Sequence, residues 1–300
     1  MTDTQNEVFK TPVNKIRLFE HGAPGSQNLK LTRKYYTEDM PDGRVKHIVQ
    51  NITDPDIVPY IPDGIGNSTD RQRIPAVLII PGGAFRRLVY NFEGEDVAKW
   101  LNSMGIAAFV LECRLPSDEH DNAEDVPLID AMRAMRVIRG RAQEFGIDEA
   151  KIGVMGFSAG GFMAALLSTA YESDVYADYK YKDEYDKLSA RPDFAVCSYP
   201  VISIDDCIEA GKRYMSEEQV LERISDSKAK ILHKYNPDKL VRPDMPPVFI
   251  CETDDDRTTL SENSVGFYMA ARKAGVSAEL HIFRTGGHGY GCGDDFAQTG

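Results

Sequence analysis

The chain lacks what membrane-embedded and nucleic-acid-binding proteins need. Across 300 residues no apolar run approaches the length required to span a bilayer. No basic block interrupts a sequence in which 47 acidic residues outnumber 35 lysines and arginines, for a formal net charge of −12. Nucleic acid and anionic membrane both call for a positive footprint, so neither is expected as a partner. Five cysteines, an odd number without paired spacing, do not read as a disulfide framework. Cys113, Cys197 and Cys251 each sit in an apolar, strand-like run and read as small core residues. There is no His-Glu-x-x-His, no CxxC pair and no Walker loop, and Gly82-Gly83 lacks the third glycine of a dinucleotide fingerprint. Neither a metal nor a cofactor is therefore expected. The polar, acidic segment Met1–Glu7 has none of the basic or apolar character of a secretory signal, and a cytoplasmic protein is expected. Homo-oligomerisation is left open.

What is present is an alternation of strands and helices. Residues 8–60 alternate short apolar runs with turn signals, and residues 1–74 read as an N-terminal arm with antiparallel edge strands. Ala76–Ile80 is a continuous β-branched run, as a strand buried on both faces should be. A helix over 93–104 closed by Gly105 follows, then a strand over 106–113 and a long helix over 126–145 stopped by Gly146. A strand and helix flank Ser158; strands at 194–199 and 247–252, a helix at 261–273 and a last strand at 278–283 complete the series. The pattern predicts a single α/β domain over 1–300, a mostly parallel sheet between helices. Two segments interrupt it. Residues 171–190 are rich in Tyr, Asp and Lys, and residues 205–243 are charged and helix-prone, a candidate cap over the site.

Gly156-Phe157-Ser158-Ala159-Gly160 is the most informative stretch. Between an apolar strand and a small-residue helix, it forms a sharp turn that lifts a serine hydroxyl above the sheet, where a base and an acyl group can reach it. Such a nucleophile needs a base, a group to orient that base, and donors for a developing oxyanion. Of six histidines, His288 lies in a glycine-rich loop after the final strand, free to swing over the sheet edge, whereas His281 alternates within that strand. The orienting acid is expected after the penultimate strand, where Asp254, Asp255 and Asp256 stand together; three adjacent carboxylates cannot all meet one imidazole. Pro81-Gly82-Gly83-Ala84-Phe85 follows the first buried strand, so the amides of Gly83 and Ala84, with that of Ala159, are the expected oxyanion donors.

Several further markers join these: Glu93-Gly94-Glu95, the run 105–111 followed by Arg114-Leu115-Pro116, Tyr199-Pro200-Val201, Pro246-Pro247-Val248-Phe249 and Gly286-Gly287-His288-Gly289. With them the chain resembles α/β-hydrolase esterases of the acetyl-esterase and acetylxylan-esterase type and, more distantly, hormone-sensitive-lipase-like esterases. The resemblance covers roughly residues 74–291 and implies that the acid is the second of the aspartate pair, Asp256. It also implies a serine esterase acting on short acyl esters, most simply acetyl esters of oligosaccharide hydroxyls. A broad small-molecule carboxylesterase or a peptidase-like hydrolase is the alternative, and a catalytically inactive binding protein the remotest. Ala84 replaces the third glycine of the family's oxyanion turn, which calls for a negative φ there, and Thr259-Leu260 replaces its Val-Pro.

Two expectations concern the substrate. Bulky Phe85, Leu88 and Tyr90 beside the oxyanion turn predict a small acyl pocket, and Tyr171, Tyr176, Tyr179, Tyr181 and Tyr185 are a candidate sugar-stacking wall. An acidic protein should repel uronates unless Arg86, Arg87 or Arg114 lines the site, so neutral acetylated xylo- or manno-oligosaccharides are the expected ligands.

Overall fold

Long apolar strands alternating with helices produce a twisted eight-stranded sheet covered on both faces. The computed structural model describes residues 9, 12–65, 73–213, 215–216, 218–220 and 229–293. The early strands are β1 (Ile16–Arg17), β2 (Lys34–Asp39), β3 (Val45–Gln50) and β4 (Asp56–Tyr60). Next come β5 (Ile74–Ile80), β6 (Leu88–Val89), β7 (Ala107–Glu112) and β8 (Ile147–Phe157), then β9 (Ala195–Ser198), β10 (Val248–Thr253) and β11 (Ala278–Phe283). The large sheet runs β1-β4-β7-β5-β8-β9-β10-β11 and is parallel from β7 to β11, with β1 and β4 antiparallel at one edge. A separate antiparallel sheet joins β2, β3 and β6.

The order of the large sheet locates the site. From β5 the chain moves outward to β7 and then crosses back to β8 on the other side of β5. Loops leaving the C-terminal ends of β5 and β8 therefore diverge and open a crevice between them, the place where open α/β sheets bind ligands. The helices with described bounds include α1 (Asp96–Ser103), α2 (Val126–Gly140), α3 (Ala142–Phe145), α4 (Ala159–Ala170), α5 (Ile204–Lys212), α6 (Ala229–Lys234) and α7 (Ser261–Lys273). Core residues of β5, β7, β8, α2 and α4 form one continuous apolar cluster. Among the described residues no helix is long and apolar enough to cross a membrane.

Two expected helices differ in form. The helix foreseen over 93–104 opens as a π-turn over Asn91–Glu95 before α1 begins, which turns Glu93 inward. The helix foreseen over 126–145 is two segments broken at Arg141. Gly140, a weak helix former, lies where a side chain would collide with the ring of Tyr185. The helix over 261–273 and the strand over 278–283 occur as expected. Residues 214, 217 and 221–228 of the candidate cap, and 66–72 of the arm, lie outside the described residues.

Candidate active site

Ser158 stands at the apex between β8 and α4 with φ 53° and ψ −117°. This left-handed backbone, unusual for a residue with a side chain, is enforced by its surroundings. A Cβ on Gly156 would collide with the carbonyl of Gly160, and one on Gly160 with the carbonyl of Ile80. The helix can therefore pack against the strand only with glycine at both places. The Ser158 hydroxyl donates to Nε2 of His288 at 2.8 Å. Nδ1–H of the same imidazole donates to Oδ2 of Asp256 at 2.7 Å, so three side chains from the ends of β8, β10 and β11 form one hydrogen-bonded line.

Asp256 is the member of the aspartate run that meets the histidine; it is buried, while Asp254 and Asp255 are exposed. Its Oδ1 accepts from the amides of Thr258 and Thr259 at 2.7 and 3.0 Å, and the Thr259 hydroxyl donates to Oδ2 at 2.9 Å. Burial by itself would raise this carboxyl. The hydrogen bond and charge of His288, with the two amides, outweigh it and hold the group below the usual carboxylate value. Thr259, which departs from the family pattern, thus becomes a support of the acid. Asp255 accepts from the amide of Gly287 at 2.8 Å and Thr253 donates to the Gly287 carbonyl at 2.9 Å, tying the histidine loop to the end of β10.

The oxyanion turn holds one correction. Ala84 has φ 57°, not the negative value expected, and Phe85 follows at φ 60°. Left-handed backbone costs a side-chain-bearing residue about 1–2 kcal/mol. The exposed methyl of Ala84 meets the open cavity, which limits the added steric cost to the residue's own backbone. Gly83 and Ala84 line a cavity of ≈ 230 Å³ together with Ser158 and His288. Ala159 is the first residue of α4, so its amide has no intrahelical acceptor. Beside it, Phe85, Leu88, Leu115 and Met163 enclose a hollow of only ≈ 10 Å³, room for about one water-sized group. Tyr90 does not line this hollow; its ring is buried and its hydroxyl pairs with Tyr60.

A second layer of polar side chains was not assigned from sequence. Glu93, carried inward by the π-turn, accepts from the Gly82 amide at 2.8 Å and from the Tyr199 hydroxyl at 2.9 Å. Tyr199 in turn accepts from the Gly291 amide at 3.1 Å, and its ring meets the edge of His288 at 5.0 Å between centroids. Glu93 and Tyr199 therefore join the oxyanion turn to the histidine loop. Burial raises the Glu93 carboxyl, an effect that the His288 charge, Tyr199 and the Gly82 amide only partly offset. The available signal was position: Tyr199 directly follows a strand whose C-terminal end borders the crevice.

The outer wall of the cavity comes from an unexpected direction. Met40, Arg44 and Lys46, on and beside the β2–β3 hairpin, line it with Arg87 and Phe92. None of the described residues of 171–190 or 205–243 does so. The tyrosine wall is thus overturned. Tyr171 donates to Asp244, Tyr176 to Asp186 and Tyr179 to the Gly22 carbonyl, Tyr185 packs on α2 and Tyr181 is exposed, and none of the five lines the cavity. Of the three candidate arginines, Arg87 lines the cavity, whereas Arg114 is fully buried in a 2.7 Å ion pair with Asp130. His281 pairs with Glu279 on the exposed face of β11. Among the described residues no cluster of side chains could hold a metal ion.

Comparison with known proteins agrees with this architecture. The acetylxylan esterase of Xylanibacter ruminicola is 31% identical over 223 residues, 74% of this chain and 42% of that protein. Endo-1,4-beta-xylanase B of Butyrivibrio fibrisolvens is 31% identical over 227 residues, 75% of this chain and 34% of that protein. The chain thus spans less than half the length of these curated relatives. The crystal structure of an acetyl ester-xyloside bifunctional hydrolase from Caldicellulosiruptor lactoaceticus superposes with a TM-score of 0.67 at 34% identity, covering 94% of this chain and 89% of that one. A family model described as BD-FAE matches residues 65–270, a span that includes Ser158 and Asp256 but not His288 or the Met40–Lys46 wall. With an esterase sheet, an elbow serine and a match over most of its length, the chain is an α/β-hydrolase-fold protein and belongs to the BD-FAE family.

Proposed function

We propose that this chain is a serine esterase that removes short acyl groups, acetyl above all, from the hydroxyls of oligosaccharides. The observation that carries the reading is the unbroken line Ser158–His288–Asp256 opening into one cavity with Gly83 and Ala84. The names of the relatives support acetylated carbohydrate as the substrate class. Ser158 Oγ attacks the ester carbonyl carbon while His288 Nε2 takes its proton, and Asp256 stabilises the imidazolium formed. The amides of Gly83, Ala84 and Ala159 receive the negative oxygen of the tetrahedral intermediate. Collapse breaks the carbon–oxygen bond to the sugar, whose oxygen takes the proton back from His288. Water, deprotonated by the same histidine, then releases acetate from Ser158.

The small hollow of ≈ 10 Å³ beside Gly82 and Ala159, under Phe85 and Leu88, supports a short acyl group, acetyl above all. The whole chain acts as one catalytic domain in this reading, with 1–74 contributing the outer wall of its site. Free thiols at Cys113, Cys197, Cys251 and Cys292 support a reducing compartment, the cytoplasm. The test is acetate release from acetylated xylo-oligosaccharides beside an aryl ester series from acetate to octanoate. Brisk turnover of aryl acetate without acetate from any sugar replaces the carbohydrate reading with a general carboxylesterase. A preference for octanoate overturns the small acyl pocket.

A further inference from the structure

The charge of the cavity wall is opposite to that of the molecule. In a chain of formal charge −12, the outer wall beside Ser158 carries Arg44, Lys46 and Arg87. The one carboxylate lining the cavity, Glu93, uses both oxygens on the protein side, for Gly82 and Tyr199. The two arginines are held in place from outside: Arg87 by Glu38 at 2.5 Å, and Arg44 by Asp42 at 2.8 Å with its guanidinium 5.2 Å from the Phe92 ring centre. Lys46, half-buried on β3, makes no ion pair among the described residues, although Glu38 lies opposite it in the strand register. The Glu38 carboxylate reaches Arg87 instead. Lys46 thus faces the cavity without a direct ion pair, flanked by two fixed guanidinium groups and an aromatic ring, with the buried Glu93 carboxyl as its only electrostatic counterpart among the described lining residues.

We propose that this wall is a carboxylate-binding subsite for the alcohol half of the substrate, so that the enzyme prefers acetylated sugars bearing a uronate near the ester. The inference rests on the esterase reading and reverses the expectation of neutral ligands, since Arg87 does line the site. With both guanidinium groups already paired to Asp42 and Glu38, the wall has one ammonium without a direct ion pair to offer, which suits a monoanionic carboxylate and falls short of what a phosphate dianion calls for. Phe92 and Met40 offer the apolar surface on which a sugar ring can lie. Such an arrangement raises the local concentration of an anionic ester around a protein that otherwise repels it.

The test uses two aryl acetates that differ in charge, 3-acetoxybenzoate and 3-acetoxybenzamide, with acetylated xylo-oligosaccharides with and without uronate branches. Both aryl esters form the same acetyl-enzyme, so the preference is expected in kcat/KM and not in a deacylation-limited kcat. At low ionic strength the carboxylate member is expected to be favoured by about tenfold, with the ratio collapsing toward one at about 0.5 M salt. Lys46→Gln is expected to lower the ratio several-fold and Lys46→Glu to invert it. Lys99→Gln, a change on the exposed face of α1, leaves the ratio unaltered. A wild-type ratio at or below one in low salt, or a ratio unchanged in Lys46→Gln, overturns the subsite. Inactivity on every acetylated sugar with the aryl ratio intact overturns the carbohydrate reading and upholds the subsite.

Discussion

The two sheets of this molecule contribute to the site by different means. The large parallel sheet carries the proposed reacting groups on loops at its C-terminal ends: the turn after β5, the elbow after β8, the aspartates after β10 and the histidine after β11. Asp256 is fixed by its immediate neighbours Thr258 and Thr259, whereas the histidine loop is tied to Asp255, Thr253 and Tyr199 on other strand ends of the same sheet. The small sheet supplies only a wall. Arg44 and Lys46 reach the cavity because β3 pairs with β6, which lies directly after the oxyanion turn. The proposed chemistry thus rests on the loops of one sheet, and the proposed recognition on the packing of the other sheet against them.

The largest effect that would break this division is at the elbow. Ser158→Ala is expected to lower kcat by about three orders of magnitude or more while leaving the melting temperature within a few degrees of wild type. Near-normal turnover would remove the large sheet from the chemistry altogether. Next comes the aspartate run. Asp256→Asn is expected to reduce kcat by about 10³- to 10⁴-fold, because an amide favours the wrong imidazole tautomer. Asp255→Asn, which loosens contacts with the Gly286 and Gly287 amides and Thr253 and none with the imidazole, should cost about tenfold or less. Parity between the two variants would reassign the orienting acid.

A smaller effect probes the joint between the two halves of the site. Tyr199→Phe leaves Glu93 Oε1 and the Gly291 amide without their shared partner, a loss of about 1–3 kcal/mol if both stay buried. We expect kcat to fall roughly tenfold with KM little changed, since the groups displaced face the reacting serine and not the outer wall. A rise in KM alone would place Tyr199 in substrate binding.

The smallest effect concerns pH and stability. Burial, with the Asp256 charge adding to it against the Thr253 amide, pushes the Glu252 carboxyl up to about 9 from an ordinary 4.5. The folded protein therefore keeps a proton that the unfolded chain releases. Its contribution is fully present below pH 4.5 and is lost progressively as pH rises toward 9. Glu252→Gln should flatten this dependence. Between pH 5 and 8.5 the melting temperature of the variant is expected to decline less than that of wild type, and identical slopes would show Glu252 ionised in the fold.

Most of the large sheet was legible in the sequence, and the reason is visible in particular elements. Ala76–Ile80 could only be a doubly covered strand, and α7 and β11 have the bounds that their polarity patterns demand. Ser158 and His288 were legible because glycine leaves a trace around each, demanded by close backbone packing at Gly156 and Gly160 and by positive φ at Gly287 and Gly289. Glu93 was not legible in its role, because a π-turn has no residue signature and the local pattern reads as an ordinary helix start. Nor was the wall: Arg44 and Lys46 look like any solvated hairpin charges until the β3–β6 pairing brings them over the cleft. The tyrosine-rich segment misled for the opposite reason. Its aromatic residues suggested a ligand surface, yet their hydroxyls are engaged with Asp244, Asp186 and a backbone carbonyl.

One feature of the sheet order bears on endurance. Ser158 is carried by a central strand with neighbours on both sides, whereas His288 follows β11, which among the described residues is the rim strand paired with β10 alone and has four of its six residues exposed. Rim strands open at lower free energy than the centre, and their amides exchange with solvent sooner. Warming should therefore withdraw the base from the nucleophile before the sheet melts. Activity would fade reversibly below the unfolding transition, with amide exchange accelerating first in residues 278–291.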